Sequence, residues 1–214
     1  MTSPETPLKQ TLPERPGRRE RRHAETRERI FRAALRLFGE RGFSATTVED
    51  ITEAADVGKG TFFNYFPSKE HVLTMLGEIQ LSKLERAVEE GKAGLQPMHQ
   101  LLLRLTRALA EEPGRSPAMF RSFLQAALAN EAVRTRMERN MDRGRHLLAE
   151  LLELGQQRGE IRRDIKPLEL ARGIQQCFFG TMMMWSLHSA SPLSEWIEAN
   201  FAILWPGIAA GQIQ

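Results

Sequence analysis

"DVGKGTFFNYFPSKE", residues 56–70, is the stretch on which the fold of this chain turns. Two glycines flank a lysine, aromatics fill four of five positions from Phe62 to Phe66, and a proline follows. Proline disfavours helix at the residue before it, so a helix opening near Gly58 ends by Phe66. On that helix Phe62 and Phe66 are i,i+4 and share a face with the turn residue Val57. They can close a small core with Phe31, Leu35, Phe38, Val48 and Ile51. Lys59 and Phe63 fall on another face, Thr61 and Tyr65 on a neighbouring one, and Asn64 on the outer side. In "DVG", Asp56 can take a left-handed conformation at modest cost.

Upstream, Ile30, Phe31, Ala34, Leu35, Leu37 and Phe38 recur at helical spacing until Gly42, which predicts a first helix. In "TTVEDITEAA", Thr46 with Glu49 three residues on has the form of a capping box, and Val48, Ile51 and Ala55 give the inner face of a short second helix. Downstream, Ser68 is placed as N-cap of a long fourth helix reaching about Glu90. A short helix, a tight turn and a second short helix, buttressed by a longer one, is a helix-turn-helix. Its second helix offers a cation, a hydroxyl, an amide and a phenol, groups that bond phosphates and base edges. Gly58 and Gly60 would let a ligand approach the backbone.

With its spacing, "TTVEDITEAADVGKGTFFNYFPSKEHV" resembles the TetR family of one-component transcriptional regulators over about residues 23 to 72. The resemblance implies an all-α fold, an N-terminal domain that binds double-stranded operator DNA as a homodimer, and release by a small molecule held in the C-terminal domain. By position it makes Thr46, Thr47, Lys59, Gly60, Thr61, Phe63, Asn64, Tyr65 and Lys69 the DNA-facing set. Thr47 and Lys69 would be phosphate contacts. The family often has glycine, serine and tyrosine where this chain has Asp56, Gly58 and Phe63. Phe63 cannot donate to a phosphate, which points it to a thymine methyl or a sugar.

Three segments follow from this reading: residues 1–22 as a disordered basic arm, 23–67 as the DNA-binding domain and 68–214 as a helical regulatory and dimerisation domain. The arm contains "RPGRRERR", five arginines against one glutamate, although the formal net charge of the 214-residue chain is only +3. Such a run is either a solvated tail or a device for holding polyanions. The N-terminus lacks the apolar run of a signal peptide, and "CFFGTMMMWSL" is too short to span a bilayer, so a cytoplasmic protein without a membrane partner is expected.

Beyond Gly94 the pattern is helical, with helices predicted at about 97–112, 117–129, 131–158, 167–188 and 192–209. Met119, Phe120, Phe123, Leu124, Met137 and Met141 are apolar at helical spacing. They are core residues or, with Phe178, the wall of a pocket for a small apolar effector. Cys177 is the sole cysteine and lies in an apolar helix without a nearby cation, and the five histidines have no partner at ligand spacing. No metal, cofactor or catalytic residue is expected. An effector-free DNA-binding regulator and a helical enzyme remain as alternatives, the latter lacking a nucleophile–base pair in the sequence. The last two helices carry apolar residues on more than one side. Phe178, Met182 and Trp185 on one, and Ile197, Phe201 and Trp205 on the other, are read as the dimer interface. The TetR resemblance agrees, implying a four-helix bundle between subunits.

Overall fold

The computed structural model describes residues 17–188 and 190–211. The described chain forms nine α-helices: α1 Arg18–Arg41, α2 Val48–Ala54, α3 Lys59–Tyr65, α4 Lys69–Ala93, α5 Met98–Ala110, α6 Pro117–Ala129, α7 Glu131–Gln157, α8 Pro167–Leu187 and α9 Leu193–Ile208. A 3-10 turn, Pro113–Arg115, joins α5 to α6. The only extended pairing among the described residues is a single antiparallel bridge between Ile161 and Ala209.

Two sequence expectations shift at the N-terminal end. Helix α1 begins at Arg18, so Arg18–Arg22 form its first turns rather than part of an unstructured arm. Residues 1–16 of that arm lie outside the described residues. The capping box of α2 is built one position later than expected. Thr47 is the N-cap, its hydroxyl accepting from the Asp50 amide at 3.1 Å while the Asp50 carboxylate accepts from the Thr47 amide at 2.8 Å. Thr46 instead turns its hydroxyl inward to the carbonyl of Gly42 (2.8 Å) and is wholly buried. Adjacent threonines each satisfy half of the pattern, and the backbone decides between them.

The first core gathers Ile30, Phe31, Leu35 and Phe38 of α1 with Ile51 of α2, Phe62 of α3 and Phe66, all nearly free of solvent. Asp56 makes the α2–α3 turn with a φ of 50°. Phe66 is extended (φ −135°, ψ 111°) ahead of Pro67, which ends α3 after seven residues. This core does not stop at α3. Val72, Leu73 and Leu76 of α4, Met119 and Ala126 of α6 and Val133 of α7 belong to it. The Ser122 hydroxyl, buried, donates to the Phe38 carbonyl across the α1–α6 contact.

Helix α4 then runs into a second core, where Leu84, Ala87 and Val88 pack with Leu101, Leu105, Leu148, Leu151, Leu152 and Phe201. It closes on Gly94 in the left-handed conformation (φ 69°), a position that costs glycine little. One 25-residue helix is thus shared by both cores, about 37 Å of rigid element at 1.5 Å per residue. Helices α4 and α7 run parallel, since Gly77 meets Asn140, Gly144 meets Leu84, and Gly91 meets Leu151.

Candidate nucleic-acid interface and effector cavity

Helix α3 presents Lys59, Gly60, Phe63 and Asn64 to solvent, with Thr61 and Tyr65 half-buried beside them. Phe63 is 52% exposed and stands edge-on to the buried ring of Phe62, 5.4 Å between centroids. A Cβ on either Gly58 or Gly60 would meet nothing within 4 Å, so the head of α3 is an open backbone edge. Lys59 reaches across the turn to the Glu49 carboxylate on α2. That contact, first the hydrogen bond and then the opposite charge, helps hold Glu49 below the ordinary carboxylate value of 4.5. The Tyr65 ring packs on His23 of α1, centroids 4.5 Å apart. This places the Arg18–Arg22 turns at the end of α3. Arg18, Arg19, Arg21 and Arg22 are exposed and form no ion pair among the described residues.

Two threonine and lysine assignments take a different form here. Thr46 is sealed inside the α1–α2 loop and cannot reach a phosphate, whereas Thr47 is exposed at the α2 N-terminus. Lys69 is a tie within the protein. Its ammonium donates to the carbonyls of Phe43 and Thr46, each at 2.9 Å, and sits 4.6 Å from the centre of the Phe43 ring. Only one of three N–H donors is left for an outside anion. Neither role was visible in spacing, because both partners are backbone carbonyls, and those of Lys69 lie more than twenty residues away.

Between α4 and α9 lies a largely apolar cavity of about 180 Å³. Phe120, Phe123, Met137, Met141 and Phe178 line it, together with leucines of α4 and α5. Leu124 does not; it packs against the satellite core of Ala110, Phe120, Met182, Trp185 and Ile197. The sequence reading missed five polar members of the wall, Gln80, Arg136, Asn140 and two threonines, Thr74 and Thr106, whose hydroxyls donate to the His71 and Leu102 carbonyls. Gln175, also in the wall, is satisfied: it donates to the Met141 carbonyl (2.9 Å) and accepts from Arg145 (3.2 Å). Among the described residues no group of three or more His, Cys, Asp or Glu side chains is gathered as a metal would require, and no helix is long and apolar enough to cross a membrane.

The expected dimer face is largely internal. Met182, Trp185, Ile197 and Phe201 are buried within the single chain, and Phe178 and Trp205 are partly buried against its cores. The large apolar residues left outside are Leu168, Met183, Met184 and Leu187 on α8 and Ile203, 79% exposed, on α9. Gly173 and Gly180 on α8 and Gly207 on α9 also face open space. Both faces of each helix are apolar, so periodicity alone marks two stripes, and Met182, Trp185, Ile197 and Phe201 belong to the inward one.

A two-helix reader with an exposed polar and aromatic second helix, joined by a shared helix to an all-α body around a cavity, defines a helix-turn-helix regulator. Residues 30–75 match the family described as "Bacterial regulatory proteins, tetR family". Thermus thermophilus FadR, described as a TetR-family transcriptional repressor and solved in complex with lauroyl-CoA, is 33% identical. That match covers 83% of this chain and 92% of FadR, with a TM-score of 0.59. The transcriptional repressor DhaR of Mycobacterium sp. (strain GP1) is 26% identical, over 84% of this chain and 92% of that one. Reduced Escherichia coli NemR, 22% identical, has the same fold, with a TM-score of 0.69 over 88% of this chain and 100% of that one. The chain belongs to the tetR family of bacterial regulatory proteins and is a DNA-binding transcriptional repressor.

Proposed function

We propose that this repressor binds a two-fold operator as a homodimer and leaves it when a long-chain acyl thioester fills the cavity. The observation that carries the reading is the shared helix α4. Leu73 and Leu76 pack in the DNA-binding core and also line the cavity with Gln80, Leu81 and Leu84, so a body wedged against α4 is felt at α3. The T. thermophilus relative, bound to lauroyl-CoA, supports the ligand class. The cavity here suits such a molecule, being walled by leucine and phenylalanine with Arg136 exposed at one edge, where a phosphate could pair with it. Two recognition helices read successive major grooves only when correctly spaced, so a modest tilt of α4 in each subunit is enough to spoil the match. The ligand needs only to favour the non-binding state by a few kcal/mol.

The outward stripe of α8 and α9 is our dimer surface. Gly173 and Gly180 would let a neighbouring backbone approach, and Met183, Met184, Leu187 and Ile203 would supply the apolar contact. Lys59, Gly60, Thr61, Phe63, Asn64 and Tyr65 form the groove-facing set, with Thr47 and the Arg18–Arg22 turns beside it on the phosphates. Thermal melting of the full chain with lauroyl-CoA tests the effector. Saturation should raise the melting temperature, because binding to the native state stabilises it by about 2.7 kcal/mol at a hundredfold excess over Kd. No shift at millimolar ligand would refute the acyl-thioester reading.

A further inference from the structure

The polar groups of the cavity wall are ordered along the parallel pair α4 and α7. Arg136 is exposed and has no ion pair or hydrogen bond among the described residues. One turn further along α7, Asn140 crosses the face of Gly77, where a Cβ would collide with its amide. One turn beyond Gly77 on α4 stands Gln80, whose Oε1 is buried and has no hydrogen-bond partner. Past Gln80 the wall is mainly Leu81, Leu84, Leu105 and Leu148, the Thr106 hydroxyl being turned back to the Leu102 carbonyl of its own helix. The sequence of surfaces is therefore a cation at the rim, an amide, a buried acceptor, then hydrocarbon.

The orientation of the Gln80 amide is fixed from behind. Its Nε2 donates to Glu112 at 2.9 Å. Glu112 is itself held by the buried ammonium of Lys83 at 2.6 Å, which also donates to the Ala108 carbonyl and to Glu111. Turning the amide over would set its oxygen against the Glu112 carboxylate, acceptor facing acceptor. The free oxygen is thus a built feature of this arrangement. A buried acceptor left unpaired is costly, and a donor brought to it recovers that cost.

We infer that Gln80 Oε1 is a selectivity element that accepts a hydrogen bond from an amide N–H on the arm of an acyl thioester, just before its hydrocarbon tail enters the leucine-lined end. This rests on the acyl-thioester reading and adds what that reading lacks, a requirement for a donor at one depth. An acyl chain alone would fill the apolar end and leave Gln80 unpaired.

Equilibrium dialysis of the full chain with two uncharged probes tests it. Dodecanoyl-pantetheine carries two amide N–H groups and hydroxyls beyond the thioester; S-methyl dodecanethioate carries none. Gln80→Met should weaken dodecanoyl-pantetheine by about tenfold and leave S-methyl dodecanethioate unchanged. On the unaltered protein, methylating both amide nitrogens of the pantetheine probe should weaken it by a similar factor, a comparison that does not depend on the variant folding. Equal effects of Gln80→Met on both probes would reduce Gln80 to a structural residue and overturn the inference. Tight binding that neither the variant nor N-methylation alters would overturn it too, while leaving the acyl-thioester reading standing. Failure of both probes and of lauroyl-CoA to bind the unaltered protein would remove that reading, and this inference with it.

Discussion

Lys59, the first residue of α3, is ion-paired with Glu49 on the first turn of α2, so the leading cation of the recognition helix is engaged before DNA arrives. A phosphate must displace Glu49 to use it. Glu49→Gln should therefore tighten binding to non-specific DNA several-fold at low salt, and the gain should shrink as salt screens the freed charge. Acid should act in the same direction. Glu49 is held below its ordinary value mainly by the Lys59 hydrogen bond, so it stays ionised until pH falls through that lowered value and only then releases Lys59. Fluorescence anisotropy with a random-sequence duplex reads this, and a weaker complex for the variant would contradict it.

The capping box gives α2 an acid-sensitive hold. Asp50 lies below its ordinary value of 3.8, chiefly through the hydrogen bond from the Thr47 side chain and then that from the Thr47 backbone. A carboxylate whose pKa is lowered by folding contributes stability that is fully present above its unfolded value. That contribution is lost as pH falls through the folded one. Thr47→Ala should cost about 1 kcal/mol at neutral pH, and part of the difference from wild type should vanish in acid. Urea melts at neutral and acid pH measure both, and a pH-independent difference would remove the Asp50 part of the argument.

Lys69 tests a distinction between fold and docking. Since its ammonium ties the Phe43 and Thr46 carbonyls, Lys69→Met should cost about 2 kcal/mol of stability by leaving those carbonyls short of a donor. Its salt slope for DNA binding should stay close to the parent's, whereas loss of one phosphate contact would lower it by about 0.9. A variant as stable as the parent in urea but with a clearly reduced slope would make Lys69 a phosphate contact instead.

At the proposed subunit surface, Ile203→Glu should dissociate the dimer while leaving the monomer folded, because Ile203 faces solvent in the single chain. Phe201→Glu, two residues away, buries a charge in the second core and should unfold the protein by several kcal/mol. Sedimentation and circular dichroism of both variants separate the cases. An Ile203→Glu protein that sediments as a dimer like the parent would move the interface elsewhere.

The helix-turn-helix was legible because its signals are local. Pro67 ends α3 from two residues past Tyr65, Asp56 makes the turn by its own conformation, and Phe62 and Phe66 are one helical turn apart. What failed to show depends on distant partners or on a choice between equivalent patterns. Thr46 and Thr47 both suit a cap, and only the folded loop, where Thr46 bonds the Gly42 carbonyl, tells them apart. The outward stripe of α8 is made of glycine and methionine, a weaker signal than the aromatic stripe that faces inward. Gln80 acquires its free oxygen only through Glu112, 32 residues on and just past the end of α5, which Lys83 of α4 holds in place. Leu124 shares its periodicity with the cavity wall, but its contacts fall in the adjoining core.

The central claim joins through α4 a DNA reader and an acyl-thioester cavity. It is tested most directly by selecting bound sequences from a random duplex pool with the full chain, then adding lauroyl-CoA to the selected complex. The account predicts an inverted repeat whose half-sites lie about one helical turn apart or a multiple of it, and release of that DNA as lauroyl-CoA saturates the protein. An enriched inverted repeat that stays bound at saturating lauroyl-CoA, with binding of the ligand shown independently, would contradict it.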